Sequence, residues 1–463
     1  MGSGETPPTK LRHVLALPFP RRGHINPIMN FCRSLLSKIP DHHVLVSFVV
    51  TEEWLGFIGS EPKPGNVRFV TVPNVVRSEV GHEVDSPRFY EEVLKELEAP
   101  VERLLDGLEP PVTAIVADTF LVWSVRMGRE RNIPVAAFFP MSATMYSVKH
   151  HFDLLFRNGH YPADLKEKGD EVVDYIPGVP PILIRDLPTC FYGKGLRVLH
   201  HALEGIAAVL KAQSLILVSV YELEHTVIDA LRRDIPIPIY HVGPTIPHFN
   251  LGHGSPTTSS TAHDANYWQW LDSQPDRSVL YVSQGSLHSA SKIQIDEIIA
   301  GLRMSGVRYF WVGREQTPQI KEEFGENEEM GLVVPWCEQL SVLCHASVGG
   351  FCTHCGWSST FEAVFAGLPM LTFPIYWDQV SNSKLVVEDW RIGWRIKRKE
   401  GVEYVVPREE IAGLVRRFMD PEDEEAKAMR RRAKELQEIT RNAVLKGGSS
   451  DSSIDAFLHN LLH

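Results

Sequence analysis

The sequence of 463 residues holds no run of about 18 apolar residues, so no membrane-crossing helix is expected. Cysteine is scarce, with six in the whole chain. Cys352-Thr-His-Cys355 is a C-x-x-C with Cys337, Cys344 and His345 nearby, but no second C-x-x-C or His pair at finger spacing accompanies it. It reads as two thiols in a strand–turn–helix, no metal is expected, and the six cysteines suit a reducing, cytoplasmic protein. Met1 to Lys10 is polar and has no apolar stretch, so no secretory signal is expected. A Gly-x-x-x-x-Gly-Lys-Ser/Thr sequence is absent, which excludes a P-loop, and no Gly-x-Gly-x-x-Gly follows a strand, which weighs against a nicotinamide dinucleotide. A basic surplus is missing too: 47 Lys and Arg face 58 Asp and Glu, for a net charge of −11. That argues against a nucleic-acid partner. The Lys/Arg-rich stretch 427–441 is interleaved with acids and reads as a solvated helix face, the other reading being a polyanion site.

What is present is a repeated alternation. Short apolar, β-branched runs are each followed by a helical segment: His13–Phe19, Val44–Val50, Val67–Val72, Thr113–Asp118, Val135–Phe139 and Leu215–Val220, then Ser278–Ser283, Val307–Val312, Gly331–Val334, Ser347–Phe351 and Met370–Pro374. This pattern predicts an α/β protein with parallel sheets covered on both faces. The expected organisation is a doubly wound domain over 1–246, a Gly/Ser/Thr/Pro-rich linker over 247–265, and a second doubly wound domain over 266–445. A closing helix over 446–463 either crosses back to the first domain or frays. In such sheets ligands bind beyond the carboxyl ends of the strands, and two facing domains would form a cleft.

Residues 336–379 concentrate candidate chemistry. Trp336 follows a predicted strand and is either a stacking plate for a nucleobase or an interface tryptophan. Gly349, Gly350 and Gly356 read as a Gly-rich turn opening a helix near Ser358. Its free N–H groups suit a phosphate, with His354 just upstream as a further donor; plain capping by Ser358, Ser359 and Thr360 is the alternative. Glu362, placed on the first helical turn, would accept ribose hydroxyls or merely favour the helix dipole. Asp378-Gln379 would read sugar hydroxyls or cap the next helix. Gln284-Gly285-Ser286 is a second strand-to-loop turn within reach of a diphosphate, or a plain turn. In the first half, His24 lies at the carboxyl end of the first strand, ahead of Pro27 in a first helical turn, and Asp118 ends another strand at the same sheet edge. A histidine backed by an aspartate is the arrangement of a general base.

The stretch from Trp336 to Gln379, with Gly23-His-Ile-Asn-Pro27, resembles the signature of plant secondary-product UDP-glycosyltransferases, the inverting family 1 enzymes, along essentially the whole chain. The resemblance implies a GT-B fold of two Rossmann-like domains and a UDP-sugar co-substrate without metal or other cofactor. It implies that Trp336 stacks on uracil, with Cys337 and Gln339 beside base and ribose and Glu362 on the ribose hydroxyls. His354, Gly356, Trp357, Ser358 and Ser359 would surround the diphosphate, Ser286 approaching from the other turn, while Trp377, Asp378 and Gln379 contact the sugar. The terminal glutamine favours UDP-glucose. His24 and Asp118 match the catalytic dyad, and the expected reaction is inverting glucosyl transfer to a small phenolic, flavonoid or terpenoid acceptor. The acceptor pocket is expected from Phe19, Phe120, Trp123, Met141, Tyr146 and Phe191, with no partner beyond the two substrates and a monomeric protein. Three departures stand out: Glu338 where the signature has proline, Ser358 where it has asparagine, and the basic pair Arg21-Arg22, which is either solvated or attracts acidic acceptors. Two other readings stay open: a nucleotide-sugar-binding protein with a weakened site, and a nicotinamide-dependent oxidoreductase, which the missing glycine fingerprint disfavours.

Overall fold

Runs of Val, Ile, Leu and Phe with no polar alternation cannot face water on either side, and they form the centres of two parallel sheets. The computed structural model describes residues 11–39, 43–74, 86–249, 262–285, 291–314, 317–324, 330–396 and 405–462. Fifteen strands lie among them: β1 (Arg12–Leu17), β2 (Val44–Thr51), β3 (Val67–Val72), β4 (Ala114–Asp118), β5 (Val135–Phe139), β6 (Val172–Val173), β7 (Ile182–Leu183), β8 (Ser214–Leu217), β9 (Ile239–His241), β10 (Val279–Ser283), β11 (Arg308–Val312), β12 (Gly331–Val334), β13 (Val348–Thr353), β14 (Met370–Thr372) and β15 (Gly393–Arg395). The chain divides into two compact units, one of Met1–His150, Val198–Thr245 and Lys446–His463, the other of His151–Arg197 and Ile246–Leu445.

In the first unit seven parallel strands run in the order β3-β2-β1-β4-β5-β8-β9. All residues of β4, β5, β8 and β9 are buried. The order reverses between β1 and β4, whose register pairs Val14 with Ala114, so the loops after these two strands flank the switch point. The last helix, Ser449–Leu462, packs on this unit: the Phe457 ring lies 5.5 Å from Phe31 and 5.4 Å from Tyr240. Lys38 Nζ donates to Asp455 at 2.7 Å, and Arg12 Nη2 to the Leu462 carbonyl at 2.5 Å.

The second unit has six parallel strands in the order β12-β11-β10-β13-β14-β15, reversing between β10 and β13. Gly349 and Gly350 do not form the expected turn; they lie inside β13. The register shifts there, Val279 pairing with Val348 but Leu280 with Gly350. A Cβ at 349 would strike the Arg277 backbone, and one at 350 the Phe418 ring. Both glycines therefore serve close packing at an irregular strand, not a ligand.

Two boundaries and four short strands differ from the sequence reading. The segment His151–Arg197 belongs with the second unit rather than with 1–246, because its polar groups are bound there: the Arg395 Nη1 pairs with Asp186 at 2.7 Å and Ser381 Oγ donates to the Asp186 carbonyl at 2.8 Å. A helix, Ala262–Asp272, already begins inside the linker placed at 247–265. Strands β6, β7, β9 and β15, of two or three residues each, were too short for periodicity to reveal.

Phe457 is buried at the centre of the last helix's contact, so Phe457→Ala should cost about 3 kcal/mol of stability in the first unit. A thermal or urea unfolding scan checks this; an unchanged midpoint would mean the helix contributes no packing there.

Candidate active site

The helix Arg22–Leu36 starts earlier than the sequence suggests. The Arg21 carbonyl accepts from His24 N–H at 2.9 Å and Ile25 N–H at 2.8 Å, so His24 sits in the first helical turn and Pro27 in the second. The turn holds the imidazole against the end of β4. His24 Nδ1 and Asp118 Oδ2 are 2.7 Å apart, and Asp118 Oδ1 accepts the Phe120 N–H at 2.9 Å. The carboxylate is fully buried while the His24 side chain is 14% exposed. With Nδ1–H given to the carboxylate, the Nε2 lone pair is left to take a proton.

Around this ring the structure assembles some of the expected acceptor residues and not others. Phe19 lies 5.2 Å and Phe120 4.8 Å from the imidazole, centroid to centroid. Tyr90, which no motif pointed to, closes the cluster at 5.5 Å from Phe19 and 5.4 Å from Phe120. Trp123, Met141 and Tyr146 are buried in the same unit. Tyr146 packs edge-on against Phe139 at 5.2 Å, and its hydroxyl titrates well above the ordinary range because it is buried. Phe191 is in the second unit, stacked on Phe152 at 5.8 Å. The basic pair is not simply solvated: the Arg21 guanidinium lies 4.5 Å over Phe89 and that of Arg22 5.7 Å over Trp54.

In the second unit the residues after β10 and β13 meet at the switch point. The His354 imidazole packs over Gly285 and Gly356, where a methyl at either position would collide with Nε2. Its pKa is lowered to about 4, chiefly by burial and then by the Arg314 charge, with the Ser283 backbone opposing both. His354 is therefore neutral at pH 7. Ser286, the neighbour of Gly285, lies outside the described residues.

The helix Trp357–Ala366 is capped by Gly356 with no side-chain cap. Ser358, Ser359 and Thr360 do not cap it; Thr360 Oγ1 donates to the Gly356 carbonyl at 3.1 Å. The N–H groups of its first turn thus have no intrahelical acceptor and suit an anion. Trp357 contributes backbone there, for its ring is buried against Phe361 at 4.6 Å.

Because the helix opens at Trp357, Glu362 falls in its second turn, too deep for the dipole alternative. Gln339 binds it: Nε2 lies 2.5 Å from Glu362 Oε2 and 3.0 Å from Ser359 Oγ, and Oε1 accepts from the Tyr281 hydroxyl at 3.1 Å. Tyr281 also reaches Cys337 Sγ at 3.5 Å. Burial, with some help from the Glu338 charge and against the Gln339 amide, lifts the Glu362 carboxyl to about 7. Trp336, at the end of β12, is 44% exposed, unlike a core tryptophan.

After β14, Trp377 adopts φ +63°, a left-handed backbone that bulky residues rarely enter. Asp378 occupies the cap position of helix Gln379–Lys384 without capping it; Asn382 Nδ2 donates instead to Asp378 Oδ2 at 2.8 Å and to the Cys355 carbonyl at 2.9 Å. Gln379 Oε1 accepts from Ile375 N–H at 2.8 Å and Tyr376 N–H at 2.9 Å, which leaves Nε2 as its donor end. Asn382 was legible as the residue one turn after Asp378, Tyr281 as a lone hydroxyl in an apolar strand; Tyr90 gave no local signal.

Two doubly wound sheets, one carrying a His–Asp pair and the other an anion-ready helix start with a carboxylate and an acid–amide pair, define a GT-B glycosyltransferase. The family model described as "UDP-glucoronosyl and UDP-glucosyl transferase" matches residues 112–398. The chain is 49% identical over 462 residues to UDP-glycosyltransferase 87A2 of Arabidopsis thaliana, covering 100% of this chain and 99% of that one. It is similar to UGT71G1 of Medicago truncatula complexed with UDP-glucose, with a TM-score of 0.80 at 26% identity, covering 98% and 99% of the two chains. It is also similar to a UDP-glucosyltransferase from Polygonum tinctorium capable of glucosylating indoxyl, with a TM-score of 0.82 at 27% identity, covering 98% and 99%. The chain belongs to this family and is a UDP-glycosyltransferase. Among the described residues no helix is long and apolar enough to cross a membrane.

Glu362 should titrate near pH 7 in the ligand-free protein, and Glu338→Gln should lower that value. Since the folded value lies above the ordinary 4.5, Glu362 favours folding most below pH 4.5, and that contribution is lost as pH rises through about 7. Carboxyl-detected NMR titration of the two proteins checks both statements; a Glu362 midpoint at its ordinary value would refute them.

Proposed function

We propose that this enzyme transfers glucose from UDP-glucose to a hydroxyl of a small apolar acceptor, phenolic, flavonoid or terpenoid, giving a β-glucoside, with His24 as the general base. The observation that carries this reading is the 2.7 Å His24–Asp118 bond, which leaves Nε2 as the acceptor atom beside Phe19 and Phe120. The acceptor O–H proton passes to His24 Nε2 while its oxygen forms a bond to the anomeric carbon. The bond from that carbon to the phosphate oxygen breaks on the opposite face, and UDP leaves with the electron pair. Asp118 keeps the imidazole oriented and stabilises its cation. The N–H groups at the start of helix Trp357–Ala366 and the neutral His354 donor would take up the charge growing on the diphosphate.

Trp336 would stack on uracil and the Glu362 carboxylate would accept the ribose hydroxyls, with Cys337, Gln339 and Ser359 behind it. Trp377, Asp378 and the Nε2 amide of Gln379 would face the sugar. Glucose is supported by the Gln379 donor and by the Medicago complex with UDP-glucose; a flat aromatic acceptor is supported by the phenylalanines at His24 and by the Polygonum enzyme's indoxyl. Six free cysteines fit a reducing, cytoplasmic setting.

Mass spectrometry of products from UDP-glucose and a panel of flavonoids, simple phenols and terpenoid alcohols should find a gain of one hexose. His24→Ala should lower kcat about 10²- to 10⁴-fold with little change in donor KM. Product undiminished in His24→Ala would refute the base. No product on any acceptor while UDP still binds would favour a nucleotide-sugar-binding protein with a weakened site.

Ser358 is a shorter donor than the signature's asparagine. Ser358→Asn should therefore lower the UDP-glucose KM, and steady-state kinetics with an unchanged or raised KM would show that the shorter side chain is no handicap.

A further inference from the structure

We infer that Thr189 is a positioning residue for sugar recognition, holding the strained Trp377 backbone so that Asp378 and Gln379 keep their aim. The inference rests on the reading above that Asp378 and Gln379 contact the sugar. A left-handed tryptophan persists only where its surroundings fix it. Here one residue fixes both of its peptide groups: Thr189 N–H donates to the Trp377 carbonyl at 3.0 Å, and Trp377 N–H donates to Thr189 Oγ1 at 2.8 Å.

Thr189 is itself anchored. Three residues upstream, Asp186 is 2% exposed, bonds Arg395 Nη1 through its carboxylate at 2.7 Å, and accepts Ser381 Oγ on its carbonyl at 2.8 Å. Ser381 lies on the helix Gln379–Lys384, so the stretch from Asp186 to Thr189 grips both the strained residue and the helix that follows it. Trp377 is the hinge of this turn. Gln379 Oε1 is bonded back to the N–H groups of Ile375 and Tyr376, on the other side of Trp377. A change of Trp377 φ and ψ would therefore redirect the Gln379 amide and the Asp378 carboxylate together.

The groups assigned to uracil and ribose do not depend on this clamp. Gln339 is held by Tyr281 and Ser359 instead, and Glu362 by Gln339. Losing the clamp should therefore weaken the hold on the hexose and spare that on UDP.

The test compares Thr189→Val, which keeps the shape and removes the acceptor oxygen, with Thr189→Ser, which restores it. Thr189→Val should raise the UDP-glucose KM about five- to tenfold and lower the preference for UDP-glucose over its C4 epimer, UDP-galactose, by a similar factor. The inhibition constant for UDP should stay within about twofold, and Thr189→Ser should behave as wild type. A UDP inhibition constant rising in step with KM would make Thr189 a general structural residue and overturn the inference. Gln379→Ala separates the two levels. If it changes donor preference while Thr189→Val does not, the clamp is refuted and the sugar reading stands. If neither changes it, the sugar reading fails and the inference with it.

Discussion

The reversal of strand order beside β1 and beside β10 is the constraint on which the rest depends. A parallel strand delivers its chain to the same edge as its neighbours, and successive crossovers normally cover that edge. Where one crossover turns left and the next right, the edge is left open. In the first unit the opening falls between β1 and β4, with His24 in the residues after β1 and Asp118 at the end of β4. In the second it falls between β10 and β13, whose following residues carry Gly285 and His354. The same topology, used twice, places a His–Asp pair in one unit and an anion-ready helix start in the other.

Around these openings the chain solves a common problem, that of keeping polar groups dry yet bonded. Asp118 is fully buried and spends one oxygen on His24 and the other on a backbone N–H. Glu362 is nearly as buried, and its bonded partner, Gln339, has its own oxygen fixed by Tyr281. An amide held from both ends cannot flip, so the proton-bearing face is the one presented to the carboxylate.

Much of this is legible in the amino-acid sequence alone. The β-branched runs located eleven strands because buried parallel strands leave an unbroken apolar signature, and the motif from Trp336 to Gln379 collected the second unit's site because one βαβ unit supplies most of it. What stayed hidden was set by distance in sequence or by brevity. Asp186 and Thr189 act on residues almost two hundred positions away, and no local pattern records that. Gly349 and Gly350 looked like a turn, since a glycine needed for close approach to Phe418 cannot be told from one needed for a left-handed backbone. Tyr146, named for an acceptor pocket, is fully buried against Phe139, because an aromatic in an apolar helix reads alike whether it lines a pocket or fills a core.

The helix Ser449–Leu462 gives synthesis of the protein a fixed order. The first unit is encoded before most of the second, yet the aromatic slot formed by Phe31 and Tyr240 is filled by Phe457, which follows the whole of the second unit in sequence. The second unit, whose segments all lie between His151 and Leu445, has its whole sequence in hand earlier. On the ribosome, then, the half that begins the chain is the last to close. Its slot stays unfilled through the making of its neighbour, and a chain stopped before Phe457 never completes the half that carries the His24–Asp118 pair.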